Sequence, residues 1–389
     1  MSTDALDENA LVSQAREITG LDDFGEDTWR EGLERLVAAL REEAALNEIG
    51  VQVAAGEIRT YLANRLRVTE WHRSYHELGA ADVTPPIVII GQGRTGTTIL
   101  HDLLAQDPAH RVPLTWEVDR PLPPPETATY DSDPRIAEVQ TQLDLTELVI
   151  PGFKRMHPMG ARLAQECVRI TAADFRSMIF PTQYRVPSYA RWLLYEADMA
   201  PAYRWHRHFL QVLQSRHRRE RWVLKSPGHL WCLGALLAEY PNAVLVQTHR
   251  DPVRIIASIA SLLATLRRLA TNATSIAEGG AEFADYLLDG LDRSVTARED
   301  GTVPAKRVID VQFQAFLADP FACIREIYVR LGLELTREVE ARMRAFLAEN
   351  SQDKHGGHRY SLAETGLDAE KLRERARRYQ EYFAVPSEV

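Results

Sequence analysis

Residues 87–106 read IVIIGQGRTGTTILHDLLAQ and carry the clearest structural signal in the chain. The four branched apolar residues at the start are typical of a parallel strand covered on both faces. A polar loop with three glycines and three threonines follows, and an amphipathic helix begins after it. Because such a loop directs backbone N–H groups and the helix dipole towards one point, the stretch is predicted to bind an anion.

The spacing of the loop resembles a phosphate-binding pattern but departs from it at one position. Gly91 and Gly96 have the separation of GxxxxGK[ST], yet Thr97 stands where the lysine for the β- and γ-phosphates of a nucleoside triphosphate is expected. The loop keeps a cation at Arg94, and its three hydroxyls belong to Thr95, Thr97 and Thr98. These residues predict a site for an anion that is shorter than a nucleoside triphosphate. The alternative is a glycine turn that only joins strand to helix.

The alternation of apolar strand, loop and helix recurs along the chain. Strands are predicted at 87–91, 222–226, 243–249 and 307–313. The helices after the last two strands are predicted to begin at Asp251–Pro252 and Asp319–Pro320, because aspartate caps a helix and proline suits its first turn. This order predicts an α/β fold, an open parallel sheet flanked by helices, with ligands at the carboxyl ends of the strands.

Two helical regions are predicted outside the sheet. Residues 1–84 form a helical N-terminal extension, which ends before Pro85 and Pro86, and residues 85–389 form the main domain. Within that domain, residues 120–215 are predicted to be an inserted helical cap that binds an acceptor. Ten aromatic residues lie between 145 and 210, about twice an even share. They either line an apolar pocket or pack the cap on the sheet.

The composition of the chain indicates which binding partners and which cellular location to expect. The 389 residues carry a formal net charge of −9, which argues against nucleic acid as a partner. Cys167, Cys232 and Cys323 have no CxxC spacing, so neither a zinc site nor a disulfide framework is predicted. No stretch approaches 18 apolar residues and the N-terminus lacks a signal-peptide pattern. We therefore expect a cytoplasmic protein with no integral membrane segment.

A second motif, VLVQTHRDPVRIIASI, places Arg250 at a strand end and Ser258 about two turns into the next helix. Together with GQGRTGTT it resembles the sulfotransferases that use 3′-phosphoadenosine 5′-phosphosulfate (PAPS), and most closely the branch of bacterial and tyrosylprotein sulfotransferases. The resemblance covers roughly residues 85–365. It implies a P-loop-like sheet, with PAPS as sulfuryl donor and 3′-phosphoadenosine 5′-phosphate (PAP) as product. It also implies that Arg250 and Ser258 bind the 3′-phosphate, and that the loop from Gly93 to Thr98 binds the 5′-phosphosulfate.

The resemblance also assigns catalytic candidates. Glu117 stands where the tyrosylprotein branch carries its proposed catalytic base, with His157 and Glu166 as rivals. Alternatively, Glu117 only orients the substrate or pairs with a nearby arginine. Lys225 matches a lysine assigned to transition-state stabilisation, although a lysine after an apolar strand can equally be a solvated end residue. Arg94 is expected to help neutralise charge on the bridging oxygen.

The stretch QDKHGGHRYSLAETGLD at 352–368 is basic and rich in glycine. Sulfotransferases commonly fold a late basic glycine loop over the 3′-phosphate, which makes Lys354 and Arg359 further candidates for nucleotide binding. Its two histidines have no third ligand nearby, so no metal is expected. The acceptor is predicted to be a small-molecule or lipid hydroxyl. A P-loop kinase and a non-catalytic nucleotide-binding module remain as alternatives.

Overall fold

The computed structural model of the chain describes residues 3–149, 160–350 and 361–388. Within these ranges, five parallel strands form one sheet in the order β2-β3-β1-β4-β5. The strands are β1 (Pro86–Ile90), β2 (His110–Arg111), β3 (Arg221–Lys225), β4 (Val244–His249) and β5 (Val308–Gln312). The predicted α/β class and open parallel sheet are therefore confirmed, and the four predicted strands lie within about one residue of their expected ends.

Helices make up most of the remaining chain and cover both faces of the sheet. In chain order they are α1 (Glu8–Thr19), α2 (Trp29–Glu42), α3 (Glu48–Ser74), α4 (His76–Gly79), α5 (Thr97–Leu104), α6 (Thr115–Asp119), α7 (Pro134–Val149), α8 (Cys167–Thr171), α9 (Ile179–Gln183), α10 (Pro187–Tyr195), α11 (Ala200–Gln214), α12 (Leu233–Glu239), α13 (Pro252–Arg267), α14 (Ile276–Glu299), α15 (Phe313–Ala318), α16 (Pro320–Leu331), α17 (Arg337–Glu349) and α18 (Ala369–Tyr382). None of the described helices is long and apolar enough to span a bilayer.

The sheet separates two apolar layers because successive side chains of a strand point to opposite faces. Val88 and Ile90 of β1 belong to the layer that contains the N-terminal helices and the helices between β2 and β3. Ile87 and Ile89 belong to the other layer, with α5, α16 and α17. Every residue of β1 is buried, which explains its uninterrupted apolar sequence.

Local caps fix where helices leave the sheet. The carboxylate of Asp251 accepts a hydrogen bond from Val253 N at 3.0 Å, and Pro252 begins α13 as predicted. Asp319 caps α16 in the same way and is followed by Pro320. Each helix therefore begins directly after the carboxyl end of its strand or the short helix that follows it.

Buried charge joins the N-terminal helices to the region between β2 and β3. Asp174 is fully buried and accepts hydrogen bonds from Arg65 Nη1 at 3.1 Å, Arg176 Nη1 at 2.8 Å and Thr28 Oγ1 at 3.1 Å. Arg65 comes from α3 and also lies over the ring of Trp205 at 4.7 Å. Both arginines are buried, and Asp174 is the buried carboxylate that they share; Arg176 Nη2 also lies 3.8 Å from Oε2 of the exposed Glu31.

We expect Asp174→Asn to lower the free energy of unfolding by about 3 kcal/mol or more, because it removes the buried counter-ion that two buried guanidinium groups share. Urea unfolding followed by circular dichroism measures the change. Glu338→Gln is the matched control, since it removes an exposed i,i+4 pair with Arg342 and should cost less than about 0.5 kcal/mol. Equal losses in the two variants would contradict the role given to Asp174.

Candidate active site

The loop between β1 and α5 turns through the left-handed region of backbone conformation. Gly91, Arg94 and Gly96 have φ values of 132°, 69° and 87°. A Cβ on Gly91 would lie 2.3 Å from Thr248 Oγ1 on the neighbouring strand, so only glycine fits there. Gly96 is the N-cap of α5, and no side chain caps the helix. The first N–H groups of α5 therefore point towards the space in front of the loop.

The loop hydroxyls have different surroundings. Thr95 is buried; its Oγ1 donates to the Gln92 carbonyl at 2.6 Å and shares a hydrogen bond of 2.6 Å with Thr248 Oγ1. Thr97 is also buried, whereas Arg94 and Thr98 are exposed at the mouth of the loop. Thr95 therefore braces the loop from within, and Arg94 and Thr98 are placed to meet a ligand.

The two sequence motifs lie side by side. Arg94 Nε donates to Ser258 Oγ at 3.0 Å, and Arg250 Nη1 donates to the carbonyl of Arg94 at 2.8 Å. Ser258 lies on α13 and Arg250 follows β4, the strand next to β1 in the sheet. Residues that are more than 150 positions apart in sequence thus form one cationic surface beside the glycine loop.

Arg250 already holds a carboxylate in a bidentate manner. Its Nε and Nη2 donate to the two oxygens of Glu388 at 2.9 and 3.0 Å, and its guanidinium lies over the ring of Phe313 at 4.1 Å. The backbone N–H of Glu388 donates to Asp251 at 2.8 Å, which fixes the carboxylate in place. Sequence reasoning missed Glu388. Paired N–H···O bonds of this geometry are also those with which arginine binds phosphate.

Lys225 points along the sheet edge towards α5. Its Nζ donates to Thr98 Oγ1 at 3.1 Å and to Glu166 Oε1 at 2.5 Å. The lysine side chain is only 3% exposed, so it is not a solvated strand end. Lys225, Thr98 and Glu166 therefore form one cluster at the N-terminus of α5, and the catalytic roles expected of Lys225 and Glu166 stay predictions.

Glu117 is enclosed by the protein. Its Oε1 accepts from Arg111 Nη2 at 2.8 Å, and its Oε2 accepts from the backbone N–H of Leu114 at 2.9 Å. The side chain has no exposed surface. The pairing with an arginine that the sequence left open is thus present, and a role as proton acceptor stays a prediction. His157, Lys354 and Arg359 lie outside the described residues.

Two further titratable groups near the lysine were not singled out from the sequence. Asp102 lies one turn after Thr98 on α5, and burial raises its pKa to about 7 while Lys225 opposes the shift. His229 follows Lys225 by four residues, and burial lowers its pKa to about 4 while Glu166 opposes the shift. A histidine in the turn after a strand's carboxyl end was the signal that could have identified it.

A cavity of about 260 Å³ adjoins this cluster. Cys167 and Ser226 in its wall are the chain neighbours of Glu166 and Lys225. Apolar side chains supply much of the lining: Met178, Leu193, Leu194, Ala197, Met199 and Trp231. Of the aromatic residues predicted for the cap, Tyr195 and Tyr203 line the cavity, and the others in the described part of the chain are buried in the core. Most of them therefore serve packing.

A model of the sulfotransferase family matches residues 85–337. The chain belongs to the sulfotransferase family. Sulfotransferase STF1 from Mycobacterium tuberculosis H37Rv is 34% identical, with a TM-score of 0.85 over 96% of this chain and 99% of that one. Sulfotransferase STF9 from Mycobacterium avium is 32% identical, with a TM-score of 0.89 over 98% of this chain and 97% of that one. The predicted resemblance to bacterial sulfotransferases is confirmed.

A further relative has a named acceptor. The omega-hydroxy-beta-dihydromenaquinone-9 sulfotransferase Stf3, found in Mycobacterium tuberculosis and Mycobacterium bovis, is 25% identical over 316 residues. The match covers 76% of this chain and 75% of Stf3. In the described part of this sulfotransferase, no three His, Cys, Asp or Glu side chains are grouped to hold a metal ion.

The glycine loop provides a matched pair of substitutions. We expect Gly91→Ala to lower the free energy of unfolding by about 2 kcal/mol or more, because the methyl group meets Thr248 and the φ of 132° disfavours alanine. Gly93→Ala should change it by less than about 1 kcal/mol, because the nearest atom to its Cβ is 3.8 Å away. Thermal and urea unfolding of both variants test this. Equal stability of the two would contradict the close approach at Gly91.

Proposed function

We propose that this sulfotransferase transfers the sulfuryl group of PAPS to the hydroxyl of an apolar small molecule or lipid. The observation that supports this best is the arrangement around the N-terminus of α5. Lys225 and Thr98 lie on one side of it, and the Arg94–Ser258–Arg250 surface lies on the other. A donor with one charged group at its reactive end and a second phosphate further away matches these two cationic places.

The proposed donor contacts follow from this division. The backbone N–H groups from Gly93 to Thr98 bind the 5′-phosphosulfate, and Arg250 and Ser258 bind the 3′-phosphate. A kinase reading is weaker because Thr97, which replaces the phosphate-binding lysine, is buried. A module that only binds nucleotide would not need Lys225 buried beside the loop. The free thiols in the described residues suit a reducing compartment, so a cytoplasmic location belongs to the proposal.

The proposed chemistry is an in-line transfer with electrostatic help. The acceptor oxygen forms a bond to sulfur while the bond from sulfur to the bridging oxygen breaks, and its electrons remain on the 5′-phosphate of PAP. Lys225 stabilises the charge that grows on the bridging oxygen, and Arg94 contributes from the opposite side. Glu166 keeps the ammonium of Lys225 oriented through its 2.5 Å contact. The reaction as proposed needs no metal.

The acceptor is proposed to enter the cavity beside Lys225. Its lining of methionine, leucine and tryptophan side chains favours an apolar molecule, with the hydroxyl at the end that approaches the cluster. The name of Stf3 gives that relative an omega-hydroxylated dihydromenaquinone as acceptor, an alcohol on a lipid-like molecule. An alcohol on a prenyl or alkyl chain is therefore the acceptor class to test first.

The direct test measures transfer from ³⁵S-labelled PAPS to farnesol, 4-nitrophenol and a tyrosine peptide. We expect farnesyl sulfate to form, without a requirement for magnesium. ATP with magnesium serves as the rival donor. Phosphorylation of an acceptor, or binding of PAP with no transfer to any hydroxyl, would overturn the proposed activity.

Arg250 and Glu388 provide a prediction about the donor. Arg250→Ala should weaken PAP by about 2 kcal/mol, because a charge-assisted contact to the 3′-phosphate is lost. Glu388→Gln should instead strengthen PAP binding, because the 3′-phosphate must displace the Glu388 carboxylate from the same guanidinium. Calorimetry with PAP measures both effects, and exposed Arg342→Ala is the control. Unchanged affinity in Arg250→Ala would show that the nucleotide binds elsewhere.

Substitution of Lys225 tests whether this residue contributes to nucleotide binding or to the transfer step. We expect Lys225→Ala to lower kcat by about 10²- to 10³-fold while PAP affinity falls less, because the ammonium acts on charge that develops during transfer. Single-turnover transfer to farnesol and PAP calorimetry are measured together. Lys371→Ala on α18 is the control and should change neither value. A loss of affinity with kcat intact would make Lys225 a ground-state ligand only.

A further inference from the structure

Two buried polar atoms beside the cavity have no hydrogen-bond partner among the described residues. They are Nε2 of His229 and Nε1 of Trp231. Both residues contribute to the cavity wall. The indole N–H can only donate, so an incoming group that both accepts from Trp231 and donates to His229 would satisfy the pair. A hydroxyl has both capacities, provided that Nε2 of His229 carries no proton.

The contacts around His229 decide which ring nitrogen is protonated. Nδ1 of His229 lies 2.7 Å from Tyr203 Oη, which lies 3.2 Å from Cys232 Sγ. Sγ in turn lies 3.3 Å from the carbonyl oxygen of Gly228. That carbonyl can only accept, so the thiol proton of Cys232 belongs to it. Sγ must then accept from the Tyr203 hydroxyl, whose oxygen accepts from Nδ1–H.

All three contacts are satisfied only with the protons in this order. If Tyr203 donated to Nδ1 instead, the contact between Tyr203 and Cys232 would lack a donor, because the thiol proton is engaged by Gly228. Burial also keeps each member neutral: it lowers the pKa of His229 to about 4, raises that of Cys232 to about 11, and raises that of Tyr203 well above its usual value. Each member therefore contributes one proton.

We propose that Cys232, Tyr203 and His229 form a proton-ordered relay that holds His229 Nε2 unprotonated, as the base for the acceptor hydroxyl. This deepens the proposed function and rests on it. As the acceptor O–H bond breaks, its proton moves to Nε2 while the new oxygen–sulfur bond forms and the bond to the bridging oxygen of PAPS breaks. His229 is the catalytic residue, and Tyr203 and Cys232 are positioning residues.

Glu166 connects the relay to the proposed donor site. Its carboxylate pairs with Lys225 and also acts electrostatically on His229, where it favours the cationic imidazolium. The charge formed by proton transfer thus has a counter-ion within the cluster. Neither glutamate is as well placed to take the proton. Glu117 has both oxygens engaged by Arg111 and Leu114, and Glu166 is held by an ammonium.

The tautomer can be measured directly on the whole chain. Long-range ¹H–¹⁵N spectra of protein labelled with ¹⁵N-histidine should show His229 protonated at Nδ1 and unprotonated at Nε2. Cys232→Ala frees the Tyr203 hydroxyl to donate to Nδ1, so the proton should move to Nε2. Cys232→Ser keeps an atom that both accepts from Tyr203 and donates to Gly228, and should restore the wild-type tautomer. Cys323→Ala, at a cysteine outside the relay, is the control.

The activity measurements use farnesol and labelled PAPS. His229→Asn keeps an amide N–H near the position of Nδ1 but removes Nε2, so kcat should fall by about 10²- to 10⁴-fold with PAP affinity unchanged. Glu117→Gln is measured beside it. Near-normal turnover in His229→Asn, with or without collapse in Glu117→Gln, would overturn the assignment of the base.

The two proposals fail in different ways. A wild-type His229 protonated at Nε2, or a Cys232→Ala spectrum identical to wild type, would overturn the relay even if sulfate transfer occurs. Failure of PAP to bind would overturn the proposed function, whereas the tautomer of His229 would still be decided by the spectra. A folding defect in His229→Asn leaves the comparison of Cys232→Ala with Cys232→Ser as the deciding experiment.

Discussion

The turn between β1 and α5 is the constraint on which the candidate active site depends. A strand buried on both faces has to leave the sheet beside β4 and enter a helix within a few residues. Gly91 makes this possible because its lack of a side chain lets the backbone pass against Thr248. The same turn directs the N-terminus of α5 to the carboxyl edge of the sheet. Lys225 is the last residue of β3 and Arg250 directly follows β4, so both cations lie at that edge. The turn at Gly91 therefore brings the N-terminus of α5 close to both of them.

Ion pairs between cations and carboxylates are the second feature that organises the candidate active site. Three buried or half-buried cations at the site pair with carboxylates of the chain: Lys225 with Glu166, Arg250 with Glu388, and Arg111 with Glu117. A desolvated cation without a counter-ion would be costly, so these pairs keep the site stable. An anionic ligand therefore competes with a carboxylate already present, and its affinity reflects the difference between the two interactions. The pairs differ in their access to solvent, because Glu117 is wholly enclosed whereas Glu166 is partly exposed.

The cavity beside Lys225 is surrounded by a shared apolar layer. The N-terminal helices, the helices between β2 and β3, and one face of the sheet pack into a single buried cluster. Asp174 with Arg65 and Arg176 adds an ionic connection within that layer. The part of the cavity wall that lies between β2 and β3 is consequently packed against residues outside the matched family region. A substitution in α2 or α3 can alter the cavity without touching it.

The family resemblance identified the Arg250–Ser258 pair. The sequence by itself also determined four of the five described strands, the starts of α13 and α16, and the place of the glycine loop. These features follow from local rules, namely apolar runs, Asp-Pro caps and the spacing of glycines. Only the tertiary structure decided the partners of each side chain. Glu117 pairs with Arg111, Glu388 pairs with Arg250, and His229 Nδ1 lies 2.7 Å from the hydroxyl oxygen of Tyr203 on α11. Such contacts depend on how whole elements pack across the chain, and no local pattern specifies that geometry.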